Sequence, residues 1–390
     1  MSILFIGTYS YLRWGIEETL KKLNIQYDVC DYDFSDLEKD DKFCELLDKK
    51  MLIEKYELVF SVNFFPLVSI VCMSRQVKYY SWVHDNPLHI RNQELLLNDC
   101  NEMFFSDRQQ AAEYAAVGVN AHHLPPAVST MVFDHVMVYG NKADTDKYKA
   151  DLSLISHAYE TAYNEYASTL APYLKGYLEG IIEAQSKLYG AYIINELVND
   201  GLIAAVNASY TDKNRDGQKT CGGVLNNEEL EYTLACEVTN REQRKVISVL
   251  AQDCDVALYD YDLFNVVNGV RQEGKIDYIT RVPLISRNSK INLNVSFKMI
   301  KSGIPLSVLD IMACGGFVLT NYQEEIAEYL APGNACAMYE SIEDMREKAL
   351  FYLTHEDERI QIAARGRELV EQQFTFESRI KEMFGKILHF

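Results

Sequence analysis

The sequence has no CxxC pair, no GxGxxG fingerprint, no heptad seam, no internal repeat and no surplus of basic residues. Each absence removes a class of function. Its 57 acidic against 38 basic residues give a formal charge of −19. That charge opposes attraction to phosphate backbones and anionic headgroups, so no nucleic-acid partner is expected. Cysteines at 30, 44, 72, 100, 221, 236, 254, 314 and 336 are scattered, mostly in apolar runs such as "SIVCMS" and "MACGG". They read as buried free thiols in a reducing compartment, without a disulfide framework or a zinc site. Long hydrophobic runs are also missing: "ELVFSVNFFPLVSIVCM" is interrupted by Asn63 and Pro66 and falls short of a bilayer span. The opening "MSILFIGTYS" has no basic stretch before its apolar residues and reads as a first β-strand. A cytoplasmic protein with no transmembrane segment is expected. Without a heptad seam the oligomeric state is unreadable.

What is present is alternation. The chain is 390 residues long and 48% hydrophobic, enough for two domains with separate cores. Short apolar runs ("ILFIG", "YDVCDYD", "ELVFSVN", "YYSWVHD", "EMFFSD", "NAHHLPPAV") alternate with helical patterns such as "GIEETLKKL" and "RQQAAEYAAVG". Continuous apolar strands separated by amphipathic helices argue for a parallel sheet covered on both faces. A polar stretch, "YGNKADTDKYKA", precedes the next run, "DLSLIS". It sets the expected organisation: 1–145 as an N-terminal Rossmann-like domain and 146–375 as a C-terminal domain with a helical insertion at about 160–207. Residues 376–390 form a helix expected to return to the first domain. Within the second domain "DVALYDY", "GKIDYI", "KINLNVS", "GGFVLTN" and "NACAMY" read as strands. The expected fold class is α/β, two doubly wound domains facing each other.

The segment "SGIPLSVLDIMACGGFVLTN", Ser302 to Asn321, stands out for one carboxylate, Asp310, inside an apolar stretch. Pro305 suits the first helical position and Gly303 allows close backbone approach. The free amides of Gly303, Ile304 and Leu306, on either side of Pro305, would face an anion at the helix start. Asp310, over one turn on, would hydrogen-bond an adjacent diol, which together describes a nucleotide. On spacing alone, a simple ion pair for Asp310 fits equally well.

The run from "SKINLNVSFKMIKSGIPLSVLDIMACGGFVLTNYQEEIAEYL" through "RGRELVEQQFTFESR" resembles the C-terminal half of CgeB-like spore-maturation glycosyltransferases of the GT-B superfamily. "YYSWVHDNPL", "FFSDRQQAAEYAAVGV" and "HHLPPAV" resemble the domain that accompanies it. The resemblance covers nearly the whole chain. It implies a GT-B fold with two domains closing across a cleft, a nucleotide-sugar donor (UDP-sugar before GDP-sugar) on the C-terminal domain, and a protein or glycan acceptor on the N-terminal one. No cofactor and no metal are implied. Asp310 then matches the second acid of the family's paired-glutamate motif, the ribose holder. Retention at the anomeric carbon is expected by analogy.

Two features depart from that pattern. The first acid falls on Ser302, and the basic pair that neutralises the diphosphate has no counterpart in "SLISHAYETAYNE". Helix amides, with Lys290, His157 or Arg287 as cations, would take that charge. A nucleotide-sugar epimerase, which shares the two-domain architecture, and a catalytically silent scaffold, which the two departures suggest, remain as alternatives.

Other candidates follow from placement. His84 and Asp85 in "WVHDNP" end a strand and would orient an acceptor hydroxyl, or act as the base if the enzyme inverts, unless they form a structural turn. Asp107 either joins them or caps the next helix. Gly7 would line a cleft, and Tyr278 would lie against the base or pack in the core. Asn321, Tyr322 and Gln323, after the strand "GGFVLTN", are candidates for the donor sugar. The Asp-x-Asp triplets at 31, 253 and 260 match the metal signature of the other major glycosyltransferase fold, but such triplets arise by chance in so acidic a chain. His122 and His123, with no third ligand in register, read as structural.

Overall fold

The computed structural model describes residues 2–7, 12–34, 36–139, 146–156, 159, 161–209, 211–213, 219–221, 225–260 and 267–388. The chain divides into two compact units. The first comprises Met1–Val138, Ser302–Ala313 and Arg367–Phe390, the second Tyr139–Lys301 and Cys314–Gly366.

The first unit is built on six parallel strands: β1 (Ser2–Gly7), β2 (Gln26–Asp31), β3 (Leu58–Val62), β4 (Lys78–Val83), β5 (Asn101–Phe105) and β6 (Ala121–His123). They are ordered β2-β1-β3-β4-β5-β6. Successive strand residues point to opposite faces, so two cores form from one sheet. Leu4, Ile6, Val59, Tyr79 and Val83 pack on one side with Phe43, Leu47 and Val68 of the Asp41–Ile53 and Pro66–Arg75 helices. Ile3, Phe5, Leu58, Phe60, Tyr80 and Trp82 pack on the other, against Leu12–Lys22 and the last helix, Phe376–Leu388. Phe376, Ile380, Met383 and Phe384 recur at helical spacing and bury one stripe of that last helix. The return is also tied by polar bonds. Val128 donates to the Phe374 carbonyl at 2.8 Å, Arg379 to that of Pro125 at 3.0 Å, and Arg367 holds Asp134 through two bonds of 3.0 and 2.6 Å.

In the second unit β7 (Ala150–Ser156) is followed by a hairpin, β8 (Thr211–Lys213) with β9 (Lys219–Cys221). Then come β10 (Val256–Asp260), β11 (Arg271–Gln272), β12 (Ser289–Asn294), β13 (Val318–Asn321) and β14 (Ala337–Tyr339). The parallel sheet runs β11-β10-β7-β12-β13-β14. Four helices, Tyr163–Thr169, Pro172–Ser186, Ile194–Leu197 and Asp200–Ser209, pack as a separate core against the long helix Asn227–Leu250. That long helix starts at a capping box in which Asn226 accepts from Glu229 N at 2.8 Å and Glu229 from Asn226 N at 2.9 Å. It is unusual in burying Glu237, Thr239, Asn240, Glu242 and Gln243 along its middle.

One expected strand is a helix. "GKIDYI" leads into Tyr278–Asn288, because Asp277 caps it by accepting from Thr280 N at 2.9 Å and Val282, Leu284 and Ile285 bury its inner stripe, with Pro283 included. Among the described residues no helix is long and apolar enough to cross a membrane.

Candidate functional site

In parallel α/β sheets ligands gather beyond the carboxyl ends of strands. At that edge of the second sheet Asn294 donates to Thr320 Oγ1 at 3.0 Å, and Asn321 Oδ1 accepts from Ser296 N at 2.7 Å. Gln323 donates to the Ile300 carbonyl at 3.0 Å, and Lys298 N donates to Thr239 Oγ1 at 3.1 Å. These bonds hold the segment after β12 in one shape. Beside it opens a depression of about 280 Å³, solvent mouth included, lined among others by Tyr189, Tyr192, Lys298, Lys301 and Tyr322. Its enclosed part is only about 20 Å³, room for a water-sized group.

Under this depression lies a buried ion pair, Lys298 Nζ to Glu242 Oε2 at 2.6 Å, with side chains 7% and 2% exposed. Lys298 Nζ also stands 4.9 Å from the centre of the Tyr189 ring. The buried Tyr189 hydroxyl is directed at the same carboxylate, so Lys298 and Tyr189 both serve Glu242. Burial and the Glu242 charge raise the pKa of Tyr189, which keeps its proton and can donate it. Lys301 Nζ lies 5.2 Å from the centre of the Tyr192 ring.

In the first unit β4 is followed by His84 and Asp85, whose amides both donate to Asn63 Oδ1 at 2.7 and 3.1 Å. His84 Nε2 is buried without a partner among the described residues. Burial lowers its pKa to about 4, so the ring is neutral near pH 7. Asp85 is exposed as a residue, yet desolvation of its carboxyl raises its pKa against the opposing influence of His89 and Asn63. A carboxylate so shifted is a more competent proton acceptor than an ordinary surface aspartate.

Asp107 does two jobs. It caps Arg108–Ala116 by accepting from Gln109 N at 2.9 Å and Gln110 N at 3.1 Å. It also accepts from Ser302 N at 3.1 Å, Gly303 N at 3.2 Å and Ser302 Oγ at 2.8 Å. The amides expected to meet a ligand anion at Ser302 and Gly303 thus meet the chain's own carboxylate. Gly303 is favoured there, since a Cβ would sit tightly, 3.1 Å from Asp107 Cα and 3.2 Å from the Ser106 carbonyl, and the neighbouring backbone would have to give by a few tenths of an ångström. Ser302 Oγ in turn accepts from Gln109 N at 3.0 Å. The helix begins at Leu306, with Ile304 and Pro305 just ahead of it and buried, and Asp310 is 3% exposed within it.

The remaining sequence candidates scatter. Asn321 and Gln323 line the depression with Tyr322, but their amides serve the loop bonds described above. Tyr278 is the first residue of its helix and does not line the depression. Lys290 is at the amino edge of β12, 2.7 Å from Asp151 Oδ1, away from the ligand side. Arg287 is bound to the Cys314 carbonyl at 2.5 Å. At Gly7 the space of a Cβ is taken by Asp31, Val29 and Arg13 of its own unit. His157 lies outside the described residues. His122 pairs with Glu102 at 3.0 Å, and no group of three metal-ligating side chains occurs among the described residues.

Sequence reasoning missed Lys298, Lys301, Glu242 and Tyr189. Two lysines just past a strand in a chain of charge −19 were a readable signal. Glu242 carried none, since its partner is remote in sequence.

Solved structures follow this chain over its whole length. Sucrose-phosphate synthase from Thermosynechococcus elongatus is 11% identical with a TM-score of 0.58, covering 100% of this chain and 98% of its own. Anabaena HepE in complex with UDP and glucose is 11% identical with a TM-score of 0.55, covering 99% and 100%. The fold is GT-B. Within this GT-B chain, residues 237–385 match a family described as glycosyl transferase-like, a stretch that includes Glu242, Lys298 and Asp310. HepE has also been solved with UDP-glucose, 9% identical with a TM-score of 0.52, each chain covered at 100%. No curated protein matches this GT-B chain.

Proposed function

We propose that this protein is a metal-independent, retaining GT-B glycosyltransferase that moves a sugar from a UDP-sugar to a hydroxyl of a protein or glycan. The observation carrying this reading is the glycosyl transferase-like match over residues 237–385. That stretch holds the buried Asp310 helix and one wall of the depression, from Lys298 to Gln323. HepE, of the same fold, has been solved with UDP-glucose, which favours uridine as the base.

In this reading Asp310 accepts the ribose hydroxyls, and the Ser302–Leu306 segment brings the helix start to the diphosphate. Asp107 acts as a positioning residue by fixing Ser302 and Gly303. Lys301, immediately before that segment, supplies the cation for the departing diphosphate in place of Lys290 and Arg287, whose partners lie elsewhere. When the anomeric carbon–oxygen bond breaks, charge accumulates on the β-phosphate, where a fixed cation and helix amides stabilise it most. Asp85, rather than the neutral His84, is the group able to orient an acceptor hydroxyl, and would act as its base only in an inverting enzyme.

The test is a melting-temperature panel with UDP, GDP, ADP and CMP, with and without magnesium, since a ligand of the folded state raises the transition by mass action. UDP is expected to stabilise the protein equally with and without the metal. A response that requires magnesium contradicts the metal-independent assignment.

A further inference from the structure

We propose that Asn63 is a positioning residue that fixes Asp85 for orienting the acceptor hydroxyl, with Gln110 as its counterpart on the other side of Asp85; this deepens the glycosyltransferase reading and rests on it. Asn63 follows β3, where it interrupts an apolar run, and its backbone is left-handed with φ 62°. Asparagine enters that region more readily than most side-chain-bearing residues, and glycine enters it freely. The main chain of Asn63 is committed: its amide donates to the Trp82 carbonyl at 2.8 Å and its carbonyl accepts from Ser61 Oγ at 2.5 Å. The side chain reaches across to the next strand. Past Val83, the last residue of β4, Asn63 Oδ1 accepts the amides of both His84 and Asp85. The amide end of the same side chain serves the Asp85 carboxyl.

Asp85 is also held from its carbonyl. Gln110, 3% exposed in the helix Arg108–Ala116, donates Nε2 to that carbonyl at 3.0 Å, while its own Oε1 is buried with no partner among the described residues. A buried amide oxygen left unbonded is costly, so this grip is made against a penalty. Two side chains from two other elements thus fix the amide and the carbonyl of one residue, and with them the direction of its Cα–Cβ bond. A glycine would close the turn at position 63 without strain. What asparagine adds is an acceptor for two amides and a donor for a carboxylate on one short side chain. That donor aims the Asp85 charge and opposes the burial that lifts its pKa, with His89 the ionisable group acting in the same sense. A carboxylate placed this way meets an acceptor hydroxyl already oriented, and a misplacement of about 1 Å costs on the order of 100-fold in rate.

The experiment titrates the Asp85 carboxyl by carbon-13 NMR, assigned through Asp85→Asn, in the wild type, Asn63→Asp and Asn63→Gly. Alongside it runs the hydrolysis of UDP-glucose to glucose, UDP and a proton, in which water is the acceptor. Asn63→Asp keeps an acceptor for both amides, so the fold should persist by circular dichroism. It puts a carboxylate where the amide donor stood, and the pKa of Asp85 should rise by about one pH unit or more. In the same variant kcat for hydrolysis should fall about 10-fold or more while the KM for UDP-glucose stays within about twofold, because the donor is not touched. Asn63→Gly suits the left-handed backbone but loses every side-chain bond; it should raise the pKa less, lower kcat as well, and decide the matter if Asn63→Asp does not fold. A folded Asn63→Asp protein in which Asp85 titrates as in the wild type, or which hydrolyses UDP-glucose at the wild-type rate, overturns the proposal and leaves Asn63 a turn residue. A wild type that binds no UDP-glucose overturns the function proposed above. There, or in a wild type that binds without hydrolysing, the titration alone decides whether Asn63 governs Asp85.

Discussion

At the carboxyl edge of the first sheet the charged groups are satisfied by the chain itself. Asp107 is saturated by two helix amides, two amides of Ser302–Gly303 and the Ser302 hydroxyl. At the carboxyl edge of the second sheet, Glu242 is held by Lys298 at 2.6 Å and by the Tyr189 hydroxyl, side chains with no backbone donor among them. Both clusters are buried and both centre on one carboxylate. The difference lies in the partners: Asp107 ties backbone segments together, whereas Glu242 is balanced by a buried cation that becomes costly once unpaired.

The contrast can be broken by substitution. The largest effect is expected at the second edge. Glu242→Ala leaves Lys298 buried and unpaired, and should cost about 3–5 kcal/mol in urea denaturation. The double variant Glu242→Gln with Lys298→Met should recover most of it, because removing both charges removes the penalty. Equal losses in the two proteins would show that the pair is not the source of the cost.

Next in size is a pH effect at the first edge. The pKa of His84 in the folded state lies near 4, below its ordinary 6.5. Stability from the neutral ring is therefore complete above pH 6.5 and declines as pH falls toward 4, where the unfolded chain takes a proton that the folded one refuses. The loss should approach about 3 kcal/mol at pH 4. His84→Phe should flatten that part of the melting-temperature profile, and an unchanged slope in the variant would assign the acid sensitivity elsewhere.

Asp107→Ala removes a helix cap and the grip on Ser302–Gly303. A loss of about 2 kcal/mol is expected by chemical denaturation, with Asp107→Asn losing less because it still caps. In the proposed reading UDP affinity should fall with it. The smallest effect belongs to Lys290. Its ion pair with Asp151 is 50% and 30% exposed, so Lys290→Ala should cost under about 1 kcal/mol. UDP binding should be untouched, whereas a large loss of UDP affinity would return Lys290 to the donor site.

Much of the fold was legible because its strands are continuous apolar runs bounded by polar or glycine residues. "LVFSV" and "INLN" could not be solvated on either face, and both became interior strands. The helix Tyr278–Asn288 was not, because "GKIDYI" has strand-like composition and Pro283 argues against a helix. Only the Asp277 cap and the buried Val282–Leu284–Ile285 stripe decide the matter. Of the site, the Ser302–Asp310 segment announced itself by one acid in an apolar helix, and the cap at Asp107 by "SDRQQ". The second role of Asp107, its hold on Ser302, was invisible because it joins residues far apart in sequence. Glu242 was hidden for the same reason. In "NREQRKV" it looks like any charged helix residue until Lys298 folds against it.

The central claim is tested most directly by UDP binding to the wild type and to Asp310→Asn, followed as a shift in melting temperature with circular dichroism confirming the fold. Asparagine keeps the size of the side chain but loses the carboxylate that would receive the ribose hydroxyls. The account predicts a UDP-dependent rise in the wild type that disappears in the variant while the fold persists. A folded Asp310→Asn protein that responds to UDP as the wild type does would contradict it.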